Sequence, residues 1–122
     1  MVEVICDTSF LIHLATNRIK NLDNLDVEIG QISFVVPQVV KNELFELDKN
    51  PEKTHDIQST LKYIKNFKVI SILGSFADEE LLDYVSKNRV IVATMDKELK
   101  KQIKNNGSSI MSFSNNKIIL ES

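Results

Sequence analysis

Apolar residues along this chain follow two periods, and the two periods alternate. Short runs of β-branched and other apolar residues have the composition of strands, and they cover residues 2–6, 32–36, 68–73, 90–93, 109–113 and 117–120. Between the first five runs, apolar residues recur at spacings of three and four, which is typical of helices that bury one face. These helical segments are expected after Thr8 or Ser9, after Pro37, beyond Pro51, after Gly74 and from Lys97.

Strands that alternate with helices predict an α/β fold, a three-layer α/β/α sandwich around a central, mostly parallel sheet. Continuously apolar runs, such as residues 69–73 and 90–93, are expected to be buried on both faces of that sheet. No repeat, low-complexity tract or linker interrupts the pattern, so we expect one domain over residues 1–122. In sheets of this kind, ligands bind at the carboxyl ends of the strands.

The composition narrows the class of protein without naming a function. With 43% hydrophobic and 26% charged residues, 3 Gly and 2 Pro, the chain is neither disordered nor collagen-like. No apolar run is long enough to span a membrane, and acids stand where a signal peptide needs basic residues. The one cysteine, Cys6, cannot form an internal disulfide, so we expect a cytoplasmic protein. The net charge of −2 excludes no partner, because charges can cluster locally.

Acidic residues collect where the predicted sheet would bind a ligand. Asp7 ends the first predicted strand, and Asp96 follows the fourth. Asp78 and Glu79 open the helix after the third strand, and Glu43 lies on the apolar face of the helix after the second. If the strands are parallel, these carboxylates meet at one edge of the sheet.

Each of these acids also has an ordinary structural explanation. Asp7 and Asp96 suit the N-cap position of a helix, and acids in a first helical turn, such as Asp78, complement the helix dipole. Glu43 could pair with Lys41. Taken together the acids are harder to explain in this way, because clustered carboxylates raise one another's pKa unless a cation lies among them. Ligands that are all oxygen favour Mg²⁺ or Mn²⁺, and such a site supports metal-assisted hydrolysis of a phosphodiester.

Four segments resemble, in order, the four motifs of PIN-domain nucleases. Residues 4–12 (VICDTSFLI) resemble the opening strand and its Asp-Thr turn, and residues 36–44 (VPQVVKNEL) the proline-led helix with the second acid. Residues 77–82 (ADEELL) and 91–100 (IVATMDKELK) resemble the third and fourth motifs. These last two are most similar to small archaeal PIN proteins and to the eukaryotic PIN endonucleases of small-subunit ribosome maturation.

The resemblance implies roles for individual residues. Asp7, Glu43 and Asp96 match three metal-binding acids of the family. At the third position the family usually has Asp-Asp, often with the second as ligand, whereas this chain has Asp78-Glu79. Alignment on the apolar residues that follow puts Glu79 in the ligand place, with Asp78 as the alternative.

Two hydroxyls are implied to support the metal-binding acids. Thr94 matches a family position that orients a carboxylate or a bound water, and Ser9 stands beside Asp7 for a similar purpose.

The family implies a Mg²⁺- or Mn²⁺-dependent endoribonuclease that acts on single-stranded RNA, with RNA processing or quality control as the expected role. It also implies self-association as a homodimer or larger assembly. A VapC-type toxin is an alternative role and would require an antitoxin partner, which a single chain does not indicate. No membrane partner is expected.

Four lysines at helical spacing are the candidates for binding the RNA backbone, since cations beside an acidic site suit phosphate: Lys97, Lys100, Lys101 and Lys104. Their ordinary explanation is a solvated helix face with cations near its C-terminus. With two tyrosines and no tryptophan, the sequence indicates no platform for stacking bases.

Two other functions use similar residues. A receiver-type phosphoacceptor module would need an Asp at the end of a mid-chain strand, but the run 68–73 is followed by Gly74-Ser75. A PIN-like domain that only binds RNA or protein, with weak or no cleavage, is compatible with Glu79 in place of the usual Asp.

Overall fold

The computed structural model describes residues 2–25 and 29–121, in which a six-stranded sheet is flanked by helices. The strands are β1 (Val2–Cys6), β2 (Ile32–Pro37), β3 (Lys68–Ile70), β4 (Ile91–Ala93), β5 (Ser109–Ser114) and β6 (Lys117–Glu121). The α-helices are α1 (Thr8–Thr16), α2 (Gln38–Leu47), α3 (Thr54–Tyr63), α4 (Ala77–Lys87) and α5 (Lys97–Asn105). A short 3₁₀ helix covers Leu22–Asn24. Within these described residues, no helix is both long and apolar enough to cross a membrane.

The order of the strands explains where a ligand would bind. The sheet runs β3-β2-β1-β4-β5-β6. β1 to β5 pair in parallel, and β6 is antiparallel to β5. Chain order therefore reverses its direction across the sheet between β1 and β4, and such a switch point opens a crevice at the carboxyl ends of the two strands. The predicted mostly parallel α/β architecture is confirmed.

The central strands carry the core, as their apolar composition requires. Ile5 of β1 and Val92 of β4 are fully buried, and they are direct partners in the sheet. Because helices cover both faces of a parallel sheet, a strand in its middle has no solvent-facing side. The prediction that residues 90–93 are buried on both faces holds for Val92 and Ala93, whereas Ile91 is partly buried.

The same prediction for residues 69–73 is wrong. β3 ends at Ile70 and is an edge strand, and Val69 is 40% exposed. Beyond it the chain leaves the sheet, because the Ile72 N–H donates to the Ile70 carbonyl and the Val39 N–H donates to the Ile72 carbonyl. The apolar residue Ile72 is buried by this turn and not by strand pairing.

The final two predicted strands form a hairpin. Ser114 pairs with Lys117, and the two residues between them, Asn115 and Asn116, both have positive φ (52° and 58°). These are the angles of a type I′ turn, which asparagine tolerates better than most residues and which matches the twist of the flanking strands.

Candidate active site

A cleft of about 670 Å³ lies at the carboxyl ends of β1 and β4. Four of the five acids singled out from the sequence line it: Asp7, Glu43, Asp78 and Asp96. They come from four separate parts of the chain, so the fold and not local sequence brings them together. Thr8, Ser9, Asn42, Glu46, Lys53 and Phe76 are among the other lining residues.

Hydrogen bonds of the backbone and of the side chain fix the position of Asp7 in the cleft. Its backbone N–H donates to the Ala93 carbonyl at 2.8 Å, which continues the pairing of β1 with β4 by one residue. Its side chain is only 8% exposed, and Oδ2 accepts hydrogen bonds from the Thr94 hydroxyl (2.9 Å) and the Ser9 hydroxyl (3.3 Å). Although Asp7 occupies the N-cap position of α1, its side chain makes no capping hydrogen bond. The capping explanation for Asp7 is therefore wrong.

The two hydroxyls connect Asp7 to the loop that carries Asp96. The Asp96 N–H donates to Thr94 Oγ1 at 3.1 Å, and the Met95 N–H donates to Ser9 Oγ at 3.1 Å. Each hydroxyl thus accepts from the 95–96 backbone while it donates to the Asp7 carboxylate. These hydrogen bonds are made by the two hydroxyls that the sequence predicted to support the acids.

Asp96 combines a structural role with a place in the cleft. Its Oδ1 accepts hydrogen bonds from the Glu98 and Leu99 N–H groups, which makes it the N-cap of α5. The side chain is exposed and lines the cleft. Capping uses one carboxylate oxygen, so the two explanations for Asp96 are compatible.

Burial and mutual repulsion raise the pKa of two of the acids. For Asp7, burial is the largest cause, and the Asp96 charge adds to it. The Thr94 hydroxyl, the Thr8 backbone and the Ser9 hydroxyl lower the pKa of Asp7 in opposition. For the half-buried Glu43, burial again raises the pKa most, followed by the charges of Asp7 and Asp78. The cleft therefore holds negative charge at a cost to stability.

Thr8 contributes an unusual polar atom at the edge of the site. Its hydroxyl lowers the pKa of Glu43, yet Oγ1 is buried and meets no partner at hydrogen-bonding distance and angle among the described residues. A buried polar atom without a partner is uncommon in proteins, and this one lines the acidic cleft.

Of the two acids at the third position, Asp78 is the one that lines the cleft. Both Asp78 and Glu79 are exposed, but Asp78 lines the cleft and its charge raises the pKa of Glu43. Glu79 is not among the residues that line the cleft. The sequence alignment that favoured Glu79 is therefore not supported by the geometry.

The chemistry of the cleft suits a hard divalent cation. Its acids supply carboxylate oxygens only, which Mg²⁺ and Mn²⁺ prefer, and a cation would relieve the repulsion that raises the pKa values of Asp7 and Glu43. Within residues 2–25 and 29–121, no three His, Cys, Asp or Glu side chains stand close enough together to enclose a metal ion. The acids therefore fit a divalent cation in chemical kind, and they share one cleft; like charges keep apart when no cation lies between them.

Several polar or aromatic lining residues were not anticipated from the sequence, among them Asn42, Glu46, Lys53 and Phe76. Glu46 lies one helical turn beyond Asn42 on α2, a spacing that places both on one side of the helix. Lys53 precedes α3 and Phe76 precedes α4. No local motif marks these two, because they reach the cleft through loops whose paths depend on packing.

The predicted RNA-binding lysines line a different surface. Together with Asn105 they form a shallow groove of about 380 Å³ on α5: Lys97, Lys100, Lys101 and Lys104. None of the four lines the acidic cleft. Two of them approach Glu121 of β6, with Nζ–Oε distances of 3.6 Å for Lys100 and 3.0 Å for Lys104. The shared helical face is as predicted, whereas two of its four lysines lie near one carboxylate from the hairpin.

The sheet order and the acidic cleft at its switch point define a PIN-like nuclease fold. Residues 4–115 match the family described as PIN like domain, and the chain belongs to that family. It is 33% identical over 121 residues to Ribonuclease VapC4 of Methanocaldococcus jannaschii, an alignment that covers 91% of this chain and 89% of that protein. The resemblance inferred from the four motifs is confirmed.

Solved structures agree with this assignment. The PIN domain endonuclease Utp24 superposes with a TM-score of 0.78 at 26% identity, over 98% of this chain and 90% of that one. A domain of a functionally unknown protein from M. jannaschii superposes with a TM-score of 0.62 over 93% of this chain and 92% of that one. Because its identity is 13%, that second likeness concerns the fold alone.

Proposed function

We propose that this protein is a divalent-metal-dependent endoribonuclease that hydrolyses phosphodiester bonds of single-stranded RNA, and that residues 1–122 act as one nuclease domain. Mg²⁺ or Mn²⁺ is the expected metal. Two similar proteins support the proposal, since one is named a ribonuclease and the other a PIN domain endonuclease. Cytoplasmic location and self-association stay predictions.

The observation that carries the proposal is the buried Asp7 carboxylate in an acidic cleft. Burying an ionised carboxylate without a cationic partner is destabilising, and the nearby acids increase the penalty by repulsion. A structural acid would be expected to cap a helix or pair with a basic side chain, and the Asp7 side chain does neither among the described residues. A requirement for a bound cation accounts for this arrangement.

The proposed roles follow from the contacts of each residue. Asp7, Glu43, Asp78 and Asp96 would hold the metal. A divalent cation held there would supply an activated water and neutralise charge on the scissile phosphate. Thr94 and Ser9 position the Asp7 carboxylate through Oδ2. Lys53, the one basic residue among the described residues that line the cleft, would contact an RNA phosphate.

The test is cleavage of an unstructured single-stranded RNA by the purified protein with Mn²⁺, compared with the same reaction in EDTA. We expect internal cleavage that requires the metal, with Mg²⁺ tested in parallel. A well-folded protein that binds the RNA without cutting it would instead support the binding-module alternative. In that case a Glu79→Asp variant should be tested next, because Asp is the usual family residue there.

RNA processing or quality control is the proposed cellular role, and the identity to a protein named VapC4 favours a VapC-type toxin as the second candidate. The two differ in the consequence of expression. A toxin should arrest growth when expressed alone, and the arrest should require Asp7. A processing enzyme should be tolerated and should change the length of particular transcripts.

Replacing Thr94 with Val should weaken both stability and cleavage. Thr94 is fully buried. Its hydroxyl donates a hydrogen bond to the Asp7 carboxylate and accepts one from the Asp96 N–H. Loss of a hydrogen bond that satisfies buried polar groups costs about 1–3 kcal/mol, so the free energy of unfolding should fall by that amount. Cleavage should fall by about 10- to 100-fold, as when a residue that orients a metal ligand is changed.

A matched control for Thr94→Val is Thr60→Val. Thr60 is equally buried, but its hydroxyl donates to the Asp56 carbonyl within α3 and does not line the cleft. Urea unfolding and cleavage rates check both variants. Equal effects on cleavage would contradict a positioning role for Thr94.

Replacing Lys101 with Ala should weaken RNA binding if the lysine groove carries part of the RNA. Lys101 is exposed, and it forms no ion pair with the described residues. Each phosphate contact to a single strand contributes about 0.7 to the slope of log affinity against log salt concentration. The slope should therefore decrease by about that amount, whereas Lys62→Ala on α3 should leave it unchanged. An equal slope for all three proteins would place the RNA elsewhere.

A further inference from the structure

Phe76 is a large aromatic residue left exposed at the edge of the acidic cleft. It is 62% exposed, it lines the cleft, and it lies two residues before Asp78. Single exposed apolar residues are common on protein surfaces. This one differs because it stands among the charged side chains of a proposed active site, where an exposed aromatic ring contributes nothing to the core.

The backbone holds Phe76 in a defined place. It is the N-cap residue of α4, and its carbonyl accepts a hydrogen bond from the Glu80 N–H at 3.1 Å. Two residues earlier, Gly74 has a φ of +142°, which L side chains rarely adopt. A Cβ at Gly74 would also collide with the side chain of Glu80. The 74–76 turn is therefore packed against the first turn of α4.

We propose that Phe76 is a base-stacking residue, which binds a nucleobase of single-stranded RNA beside the scissile phosphate. The inference rests on the proposed function, since it names how the same cleft holds its substrate. Aromatic side chains bind single strands by stacking on the flat faces of bases. The cleft then offers one group for each part of a nucleotide: acids that hold a metal near the phosphate, Lys53 for a phosphate charge, and the Phe76 ring for the base.

A base suits this position better than an apolar protein side chain. The cleft that Phe76 lines contains charged and polar side chains, Ser75, Asp78 and Lys53 among them, beside apolar ones. An apolar peptide would bury those charges without partners, which is unfavourable. A nucleotide stacks its base on the ring and leaves its charged backbone in contact with the polar groups.

Stacking also predicts a preference at one nucleotide. Larger bases stack more strongly, and sequence preferences of single-strand binders arise from stacking strength more than from hydrogen-bonded readout. We expect a purine to be favoured by a few-fold at one position next to the cut, with little preference elsewhere.

The test compares Phe76→Ala, Phe76→Tyr and Leu73→Ala with the unaltered protein. Leu73 is an ideal control, because it is 65% exposed in the same connection but does not line the cleft. Phe76→Ala should raise KM by about tenfold, in line with loss of one stacked base, and should leave kcat within about twofold. Phe76→Tyr should retain wild-type KM, and Leu73→Ala should change neither parameter.

Binding measured without turnover separates stacking from a merely structural role. RNA affinity is read by fluorescence anisotropy with Ca²⁺ in place of Mn²⁺, with intact RNA verified on a gel. The probes are a series of RNAs, each of which lacks the base at one position. Only one RNA of the series should bind the unaltered protein more weakly than the complete RNA does. Phe76→Ala should bind that RNA and the complete RNA with equal affinity.

Two results would overturn the inference in distinguishable ways. If the unaltered protein cuts RNA and Phe76→Ala cuts it with the same KM, the stacking role fails and the nuclease function stands. If the unaltered protein neither cuts nor binds RNA, the proposed function fails, and the stacking role fails with it.

Discussion

Asp7→Asn should abolish RNA cleavage while the protein keeps its fold. The substitution removes the charge of a proposed metal ligand without changing the size of the side chain. Its amide oxygen can still accept hydrogen bonds from the Thr94 and Ser9 hydroxyls, which now contact Oδ2 at 2.9 and 3.3 Å. Changing a residue behind a metal ligand typically costs about 10- to 100-fold, so loss of the ligand itself should cost about 1,000-fold or more. Cleavage rates check the loss of activity, and circular dichroism checks that the fold is kept.

The control for Asp7→Asn is the same change at Asp83. That carboxylate is exposed on α4, pairs with Lys87 at 3.2 Å and does not line the cleft. Asp83→Asn should cut RNA at the wild-type rate. If Asp7→Asn unfolds the protein, Asp7 is chiefly a structural residue and the assignment of the site is wrong.

The same variant should be more stable than the wild type when no metal is present. Burial and the Asp96 charge raise the pKa of Asp7 above its ordinary 3.8, so its folded state favours the protonated acid. Ionisation therefore lowers stability as pH rises from the ordinary pKa through the raised one. In EDTA, the Tm advantage of Asp7→Asn should disappear below about pH 4, near the ordinary pKa, and should grow as pH rises above it. Mn²⁺ should raise the Tm of the wild type more than that of the variant, because ligands stabilise the state that binds them.

The strands that position the site could be predicted because the apolar pattern of their sequence agrees with their burial in the folded protein. β1 and β4 are central strands, so the apolar residues at their carboxyl ends, Val4–Cys6 of β1 and Val92 and Ala93 of β4, are buried. The length of β3 could not be predicted in the same way. Residues 71–73 are as apolar as a strand, but the turn through Ile72, fixed by a hydrogen bond from Val39 on another element, removes them from the sheet.

The acids of the site were more predictable than the cations. Glu43 shares a face with Val39 and Val40 at helical spacing, so its inward direction follows from sequence alone. The lysines of α5 also share a face, but Glu121, which opposes Lys100 and Lys104, comes from the end of the β5–β6 hairpin. Contacts of that kind depend on tertiary packing, and no local pattern indicates them.

Asp78→Asn should lower cleavage by about 100-fold or more, whereas Glu79→Gln should leave it nearly unchanged. Both substitutions remove one charge from the first turn of α4, so their effects on the helix dipole should be similar. They differ in direction, because consecutive helical residues point about 100° apart. Asp78 lines the cleft and raises the pKa of Glu43, and Glu79 does not line it.

Helical spacing within α4 favours Asp78 over Glu79 as the acid that serves the proposed site. Asp78 lies three and seven residues before Leu81 and Val85, both of which are buried, so it belongs to the side of the helix that faces the protein. Glu79 lies four residues before Asp83, which is exposed and paired with Lys87. An intact enzyme after Asp78→Asn, together with an inactive Glu79→Gln, would reverse the assignment and require the first turn of α4 to rotate on binding the metal. If both variants lost activity equally, the two acids would act as a pair, and Asp78→Glu would then test whether length or charge is the limiting property.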